Sequence, residues 1–278
     1  MGMPFLRERK GGRYIIIMKR IATAILSLAA LFLASCDRVG ENERFEYQKP
    51  QAAARAVLVE DFTGQKCINC PKAHEEIEKM QEQYGKDNVI AVAIHSGPLA
   101  LKPSARLVGL WTALGEEYYK SWGVEAEPTG LVNRVSGVIN YPEWAGAVRA
   151  ELQRPAPVAI SVNADVNAEG SMGIKVSALA SENISGKLQL WVVEDGIVAM
   201  QSLPDGSVDR EYVQNNVLRA AVNGAWGTDI SIKEGETKVQ DFTFRAEEGW
   251  KLENLAIVAF IYGDGGVKQV VRQPLSMK

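Results

Sequence analysis

The sequence predicts an α/β domain followed by an all-β sandwich. Three observations carry this expectation. From about residue 55 to 153, apolar runs of strand length alternate with helical segments, the order of an α/β unit. Two prolines then interrupt the chain in Gln153-Arg154-Pro155-Ala156-Pro157, where a helix must end. Beyond them come seven short β-type runs, many with period-two alternation and separated by Gly, Asn, Asp and Ser. That is the pattern of an antiparallel sandwich.

Within the first region, Val57-Leu58-Val59-Glu60-Asp61-Phe62 reads as a buried strand. Residues 71–84 read as a helix with Pro71 in the first turn, where its missing N–H costs nothing. Residues 88–94 form an apolar run of strand length, and 107–122 read as helical. Residues 129–133 and 137–140 are short strands around a turn, and 142–152 are a helix. In the second region the β-type runs are 158–162, 173–178, 187–193, 197–202, 239–244, 255–262 and 267–271. Residues 210–222 are compatible with a strand or a short helix. No internal repeat stands out.

The N-terminal segment is a processing signal rather than part of the fold. Met18-Lys19-Arg20 is a positive n-region, 21–33 a short apolar stretch interrupted by Thr23 and Ser27, and Leu33-Ala34-Ser35-Cys36 a small-residue end. A spanning helix needs roughly 20 mainly apolar residues, so a secretory signal is the better reading. Met18 makes a better start than Met1. The end of the segment resembles the bacterial lipobox, which implies cleavage before Cys36 and a lipid on its thiol. Two acyl chains are what stable anchoring requires. Residues 1–35 are then the signal, 36–53 a polar tether, 54–154 the α/β domain and 155–278 the sandwich.

Six of the 31 Lys and Arg and one of the 34 Asp and Glu precede Cys36. The rest of the chain therefore carries 25 basic and 33 acidic residues. A surface of that sign repels phosphate backbones, so nucleic acid is not an expected partner.

With Cys36 assigned to lipid, Cys67 and Cys70 remain, in Cys67-Ile68-Asn69-Cys70. At the start of a helix this spacing brings two sulfurs within bonding reach. It also exposes the first to unpaired N–H groups that favour a thiolate. Lys66 adds a positive charge. The pair is compatible with a redox site, a structural disulfide or half of a zinc site. Zinc would need His74 and His95 as further ligands, and no metal is expected. The setting of strand, loop and helix suits redox chemistry.

Here the sequence resembles the thioredoxin superfamily. Asp61-Phe62, a four-residue gap and then Cys67 match its pattern, as does Gly123-Val124-Glu125-Ala126-Glu127-Pro128-Thr129. The resemblance implies that Asp61 assists proton transfer and that Pro128 is a cis-proline shaping a groove with Thr129 and Glu127. Cys67 would attack and Cys70 resolve. Lys66 stands where the family carries Trp, Ile68-Asn69 where it carries Gly-Pro, and Glu127 where an apolar or small residue is usual. An acid near the sulfurs disfavours a thiolate. The expected fold class is thus a thioredoxin-like α/β domain followed by an immunoglobulin-like all-β sandwich.

A second resemblance covers residues 53–274. Val59-Glu60-Asp61-Phe62-Thr63-Gly64-Gln65-Lys66-Cys67-Ile68-Asn69-Cys70-Pro71 and Tyr212-Val213-Gln214-Asn215-Asn216-Val217-Leu218-Arg219 are similar to outer-membrane-protein-twenty-eight-related lipoproteins. This implies an outer-membrane lipoprotein of the cell envelope, on its periplasmic face or the cell surface. Two functions follow as alternatives. One is thiol–disulfide exchange on exported protein thiols. The other is a binding or adhesin protein for a protein or glycan, with Cys67–Cys70 structural. No cofactor is expected. Trp111, Trp122, Trp144, Trp191, Trp226 and Trp250 are candidate carbohydrate platforms, except that Trp191 lies in an apolar strand and reads as core.

Overall fold

The computed structural model describes residues 48–278. The signal, Cys36 and most of the tether lie outside the described residues. In chain order the strands are β1 (Val57–Thr63), β2 (Val89–His95), β3 (Thr129–Val132), β4 (Ile139–Asn140), β5 (Val158–Val166), β6 (Ser171–Ala180), β7 (Ile184–Glu194), β8 (Ile197–Val198) and β9 (Gln201–Ser202). They continue with β10 (Val208–Asp209), β11 (Val213–Gln214), β12 (Val217–Ala221), β13 (Thr228–Ile232), β14 (Thr237–Arg245), β15 (Leu255–Gly263), β16 (Gly266–Pro274) and β17 (Ser276–Met277). The helices are α1 (Cys70–Tyr84), α2 (Ala113–Ser121) and α3 (Trp144–Leu152). Among the described residues, no helix is long and apolar enough to cross a membrane.

The expected fold class is corrected by the sheet topology. The described chain is mostly strand, and no thioredoxin-like α/β domain stands apart from a β-sandwich. The strands assigned to the α/β domain are one end of a nine-stranded mixed sheet, in the order β16-β15-β7-β12-β2-β1-β3-β4, with β13 also on β7. The seam is β12. It pairs parallel with β2 at Val217 and Ala93, and antiparallel with β7. Ala93 N donates to Asn216 O at 2.8 Å across it. The reason is the free edge of β2, whose N–H and C=O groups need partners once buried. Asn216 and Val217 supply partners at Ala93, and residues 210–222 form two short strands, β11 on β8 and β12, rather than one strand or a helix. Local pattern does not say which edge a strand will join.

β1 and β2 are buried along their whole length, because both faces are covered. One face holds Val57, Val59, Val89 and Ala91 against Ile77 and Met80 of α1 and Trp144 and Val148 of α3. The other packs Leu58, Phe62, Ile90 and Ile94 against Trp191, Val258 and Phe260 from the later strands. That shared core ties the two sequence regions together. A second sheet, β14-β6-β5-β17, lies on β7, β13 and β15 through Ile174, Val176, Leu190, Ile230 and Ile257. Its β14 alternates between exposed and half-buried residues, as expected of a sheet with one wet face.

Other boundaries shift for local reasons. The helix expected over 107–122 begins only at Ala113, because Thr112 Oγ1 caps it by accepting from Gly115 N at 2.9 Å. Residues 197–202 break into β8 and β9, and β13 was not expected from the pattern.

Candidate functional site

The end of β1, the loop 64–69 and the start of α1 carry the predicted site residues. Cys67 and Cys70 form a disulfide, and both are buried, at 3% and 0% exposure. Cys70 N donates to Cys67 Sγ at 3.1 Å, as the spacing at a helix start allows. Lys66, Ile68 and Asn69 are exposed around the buried pair.

The loop is covered from the far part of the chain. Gln201 Nε2 donates to Cys67 O at 2.9 Å and Gly64 O at 3.3 Å. Ser202 N donates to Gln65 O at 2.9 Å. Gln214 Nε2 in turn donates to Gln201 Oε1 at 3.0 Å. The buried Gln65 side chain donates to Val108 O and accepts from Leu110 N. Sequence reading missed Gln65, Gln201 and Gln214, because a glutamine far along the chain carries no signal of the carbonyl it will meet.

The Glu127–Pro128 bond is cis. The Glu127 carboxylate lies within 4.8 Å of both sulfurs. Neither Glu127 oxygen has a hydrogen-bond partner. Burial pushes its carboxyl up to about 8, and the neighbouring Asp61 and Glu116 charges act in the same sense. Thr129 is buried and its hydroxyl donates to Ala126 O at 2.8 Å. The glycine at 64 is required by this closeness: a Cβ there would lie 2.5 Å from Leu99 C and 2.7 Å from Glu127 Oε2.

Asp61 is fully buried, and neither oxygen has a hydrogen-bond partner. His74 Nε2 lies 3.4 Å from Asp61 Oδ2. The same ring contacts Thr63 Oγ1 at 3.3 Å and Tyr212 OH at 2.9 Å. Burial, then the His74 ring, push His95 down to about 3, so it is neutral at ordinary pH. The cluster of possible metal ligands among the described residues is Cys67, Cys70 and Glu127, not the cysteines with His74 and His95.

A second polar feature was not foreseen. Glu60, next to Asp61 on β1, forms a two-armed ion pair with Arg134, at 2.7 and 2.8 Å. Both residues are buried. The Glu60 charge holds the Arg134 guanidinium above its ordinary range despite burial. Asn133 and Arg134 adopt left-handed backbone angles, φ 49° and 56°, uncommon for residues with side chains. Val267 N donates to Asn133 O at 2.7 Å, which fixes the turn. Four aromatic rings, Trp122, Trp191, Phe260 and Tyr262, lie 4.7–5.5 Å from the guanidinium. Of the six tryptophans, Trp144, Trp191 and Trp250 are core, whereas Trp122 and Trp226 line an open cleft.

A family model described as outer membrane protein Omp28 matches residues 115–278. None of the curated proteins matches the chain. Among solved structures, HBP35 of Porphyromonas gingivalis aligns at a TM-score of 0.65 and 14% identity, over 81% of this chain and 77% of that one. The likeness therefore spans both sequence regions, and at that identity it concerns the fold alone. A domain of the outer membrane lipoprotein Omp28 from Porphyromonas gingivalis aligns at 23% identity with a TM-score of 0.32. It covers 44% of this chain and 91% of that domain.

Proposed function

The chain belongs to the Omp28 family of outer membrane proteins and so to the cell envelope, and from that premise we propose that it is a binding protein anchored by a lipid on Cys36. In this reading Cys67–Cys70 is a structural disulfide and the ligand is a protein or a glycan. The carrying observation is the burial of both cysteines in a loop whose carbonyls Gln201 holds. Exchange requires a thiolate to reach a sulfur, and burial of the pair disfavours that approach. Unreactive disulfides resist reduction, and the compartment favours their formation.

The test is the reduction of Cys67–Cys70 by dithiothreitol, followed by thiol trapping, together with an insulin-reduction assay. The expected result is slow reduction of the native protein, fast reduction once it is denatured, and no insulin turnover. Insulin reduction that disappears in Cys67→Ser overturns the reading. For the anchor, Cys36→Ser is expected to leave the membrane fraction; a variant still sedimenting with membranes overturns it.

One observation favours the rival reading, thiol–disulfide exchange. A carboxyl with its proton held to about pH 8 lies beside the sulfurs. An incoming thiolate would attack Cys67 Sγ, the sulfur–sulfur bond would break, and Glu127 would protonate the departing Cys70 thiolate. The insulin assay decides between the two, with Glu127→Gln expected to lower any turnover found.

A further inference from the structure

We infer that the cleft beside Arg134 is a sugar site that takes a short neutral oligosaccharide. The inference rests on the binding-protein reading and deepens it. The cleft holds about 890 Å³, within the range of ligand sites and with room for more than one sugar ring. Its apolar lining is Trp122, Trp226, Tyr262 and Ile230.

These rings are held in place before any ligand arrives. Trp226 Nε1 donates to Glu117 Oε1 at 2.7 Å, and Tyr262 OH donates to Trp226 O at 2.7 Å. Tyr118 braces Trp226 edge-on, with ring centroids 5.1 Å apart. A fixed aromatic face suits the C–H face of a pyranose and costs little conformational entropy on binding.

The polar groups narrow the ligand further. Arg134 Nη1 and Trp122 Nε1 are buried and have no hydrogen-bond partner. Arg134 itself is 8% exposed and lines the cleft. Both donors are closed to solvent without a ligand, so a hydroxyl or ring oxygen that reached them by a small shift of the wall would relieve an unsatisfied group, which a purely apolar ligand cannot do. Charge argues against an anion. Glu60 neutralises Arg134 at 2.7 Å, and Asp229 neutralises Lys187 at the rim at 2.8 Å. Lys238 and Asp264 balance one another in the remaining lining. Aromatic faces, free donors and no net charge together describe the surface of an uncharged sugar.

The experiment is titration calorimetry on the full chain in detergent with maltotetraose, cellotetraose, xylotetraose, mannotetraose and chitotetraose. At least one is expected to bind with Kd below about 1 mM. Trp226→Ala is expected to weaken it about tenfold or more, and Asp229→Ala, at an exposed rim position, severalfold. Val208→Ala, at an exposed position outside the cleft, is expected to bind as the parent does. No binding by any of the five overturns the inference. So does binding that Trp226→Ala and Asp229→Ala leave unchanged. Failure here with a slowly reduced disulfide sinks the sugar site alone. Sugar binding by a chain that turns over insulin sinks only the structural-disulfide reading.

Discussion

Glu60 and Asp61 are consecutive residues on β1, both fully buried, and they meet opposite surroundings. Alternation along a strand sends them to different faces. Glu60 enters the face shared with the later strands, where Arg134 takes both its oxygens. Asp61 enters the disulfide side, where neither oxygen has a hydrogen-bond partner and Glu127 is in the same state. One face of the strand thus carries a satisfied ion pair that braces an aromatic wall. On the disulfide side the carboxyls of Asp61 and Glu127 have no hydrogen-bond partner. Groups left unsatisfied in a core are expected to be retained for something other than stability. The disulfide end and the aromatic cleft are therefore distinct in kind: the first is covered and under-satisfied, the second braced and open.

The sharpest way to break this comparison is Arg134→Ala. It leaves the Glu60 carboxylate buried without its cation, and a loss of about 3–5 kcal/mol is expected in urea denaturation. Replacing both partners, Glu60→Leu with Arg134→Leu, should recover most of it, because the penalty belongs to the orphaned charge. A loss below about 1 kcal/mol in Arg134→Ala would show that the pair is not what holds this face.

A smaller effect is expected on the other side. Glu127 titrates at about 8 in the folded chain against 4.5 in the unfolded one, so the folded state holds its proton longer. Its contribution to stability is full below about pH 4.5 and is lost as pH rises through about 8. With partial exposure discounted, the decline is on the order of 2 kcal/mol. Denaturation midpoints from pH 5 to 9 should fall in the parent and fall less in Glu127→Gln. Equal slopes would show that Glu127 does not sense the buried site.

The smallest effect is predicted for Asp61→Asn. No hydrogen bond is lost, and the one polar contact is the His74 ring at 3.4 Å, so stability should stay within about 1 kcal/mol of the parent or rise. A loss as large as that of Arg134→Ala would erase the distinction between the two residues.

Much of the local structure was legible. The apolar run 57–62 marks β1, and its length and β-branched content suffice because both its faces are buried. Cys-x-x-Cys before a helix with Pro71 in its first turn announces two sulfurs within bonding reach. Glu127 was suspect from its place before Pro128, and the structure sets its carboxylate beside the sulfurs. The Glu60–Arg134 pair was not legible. Seventy-four residues separate the partners, and a lone acid inside an apolar run looks the same whether it is paired or not. Nor was the cover over the disulfide legible, since Gln201 is 134 residues from the carbonyl it caps.

The sequence by itself determined most of the longer strands, the helix at the cysteines and the membership of an outer membrane family. Those depend on periodicity, short-range spacing and residue type, all of which act within a few residues. Only the tertiary structure decided that two regions separated by prolines would build one nine-stranded sheet, by pairing Val217 with Ala93. That choice turns on which buried edge lacks hydrogen-bond partners once the core has closed. No window of sequence contains that information, because the edge and the strand that completes it are more than a hundred residues apart.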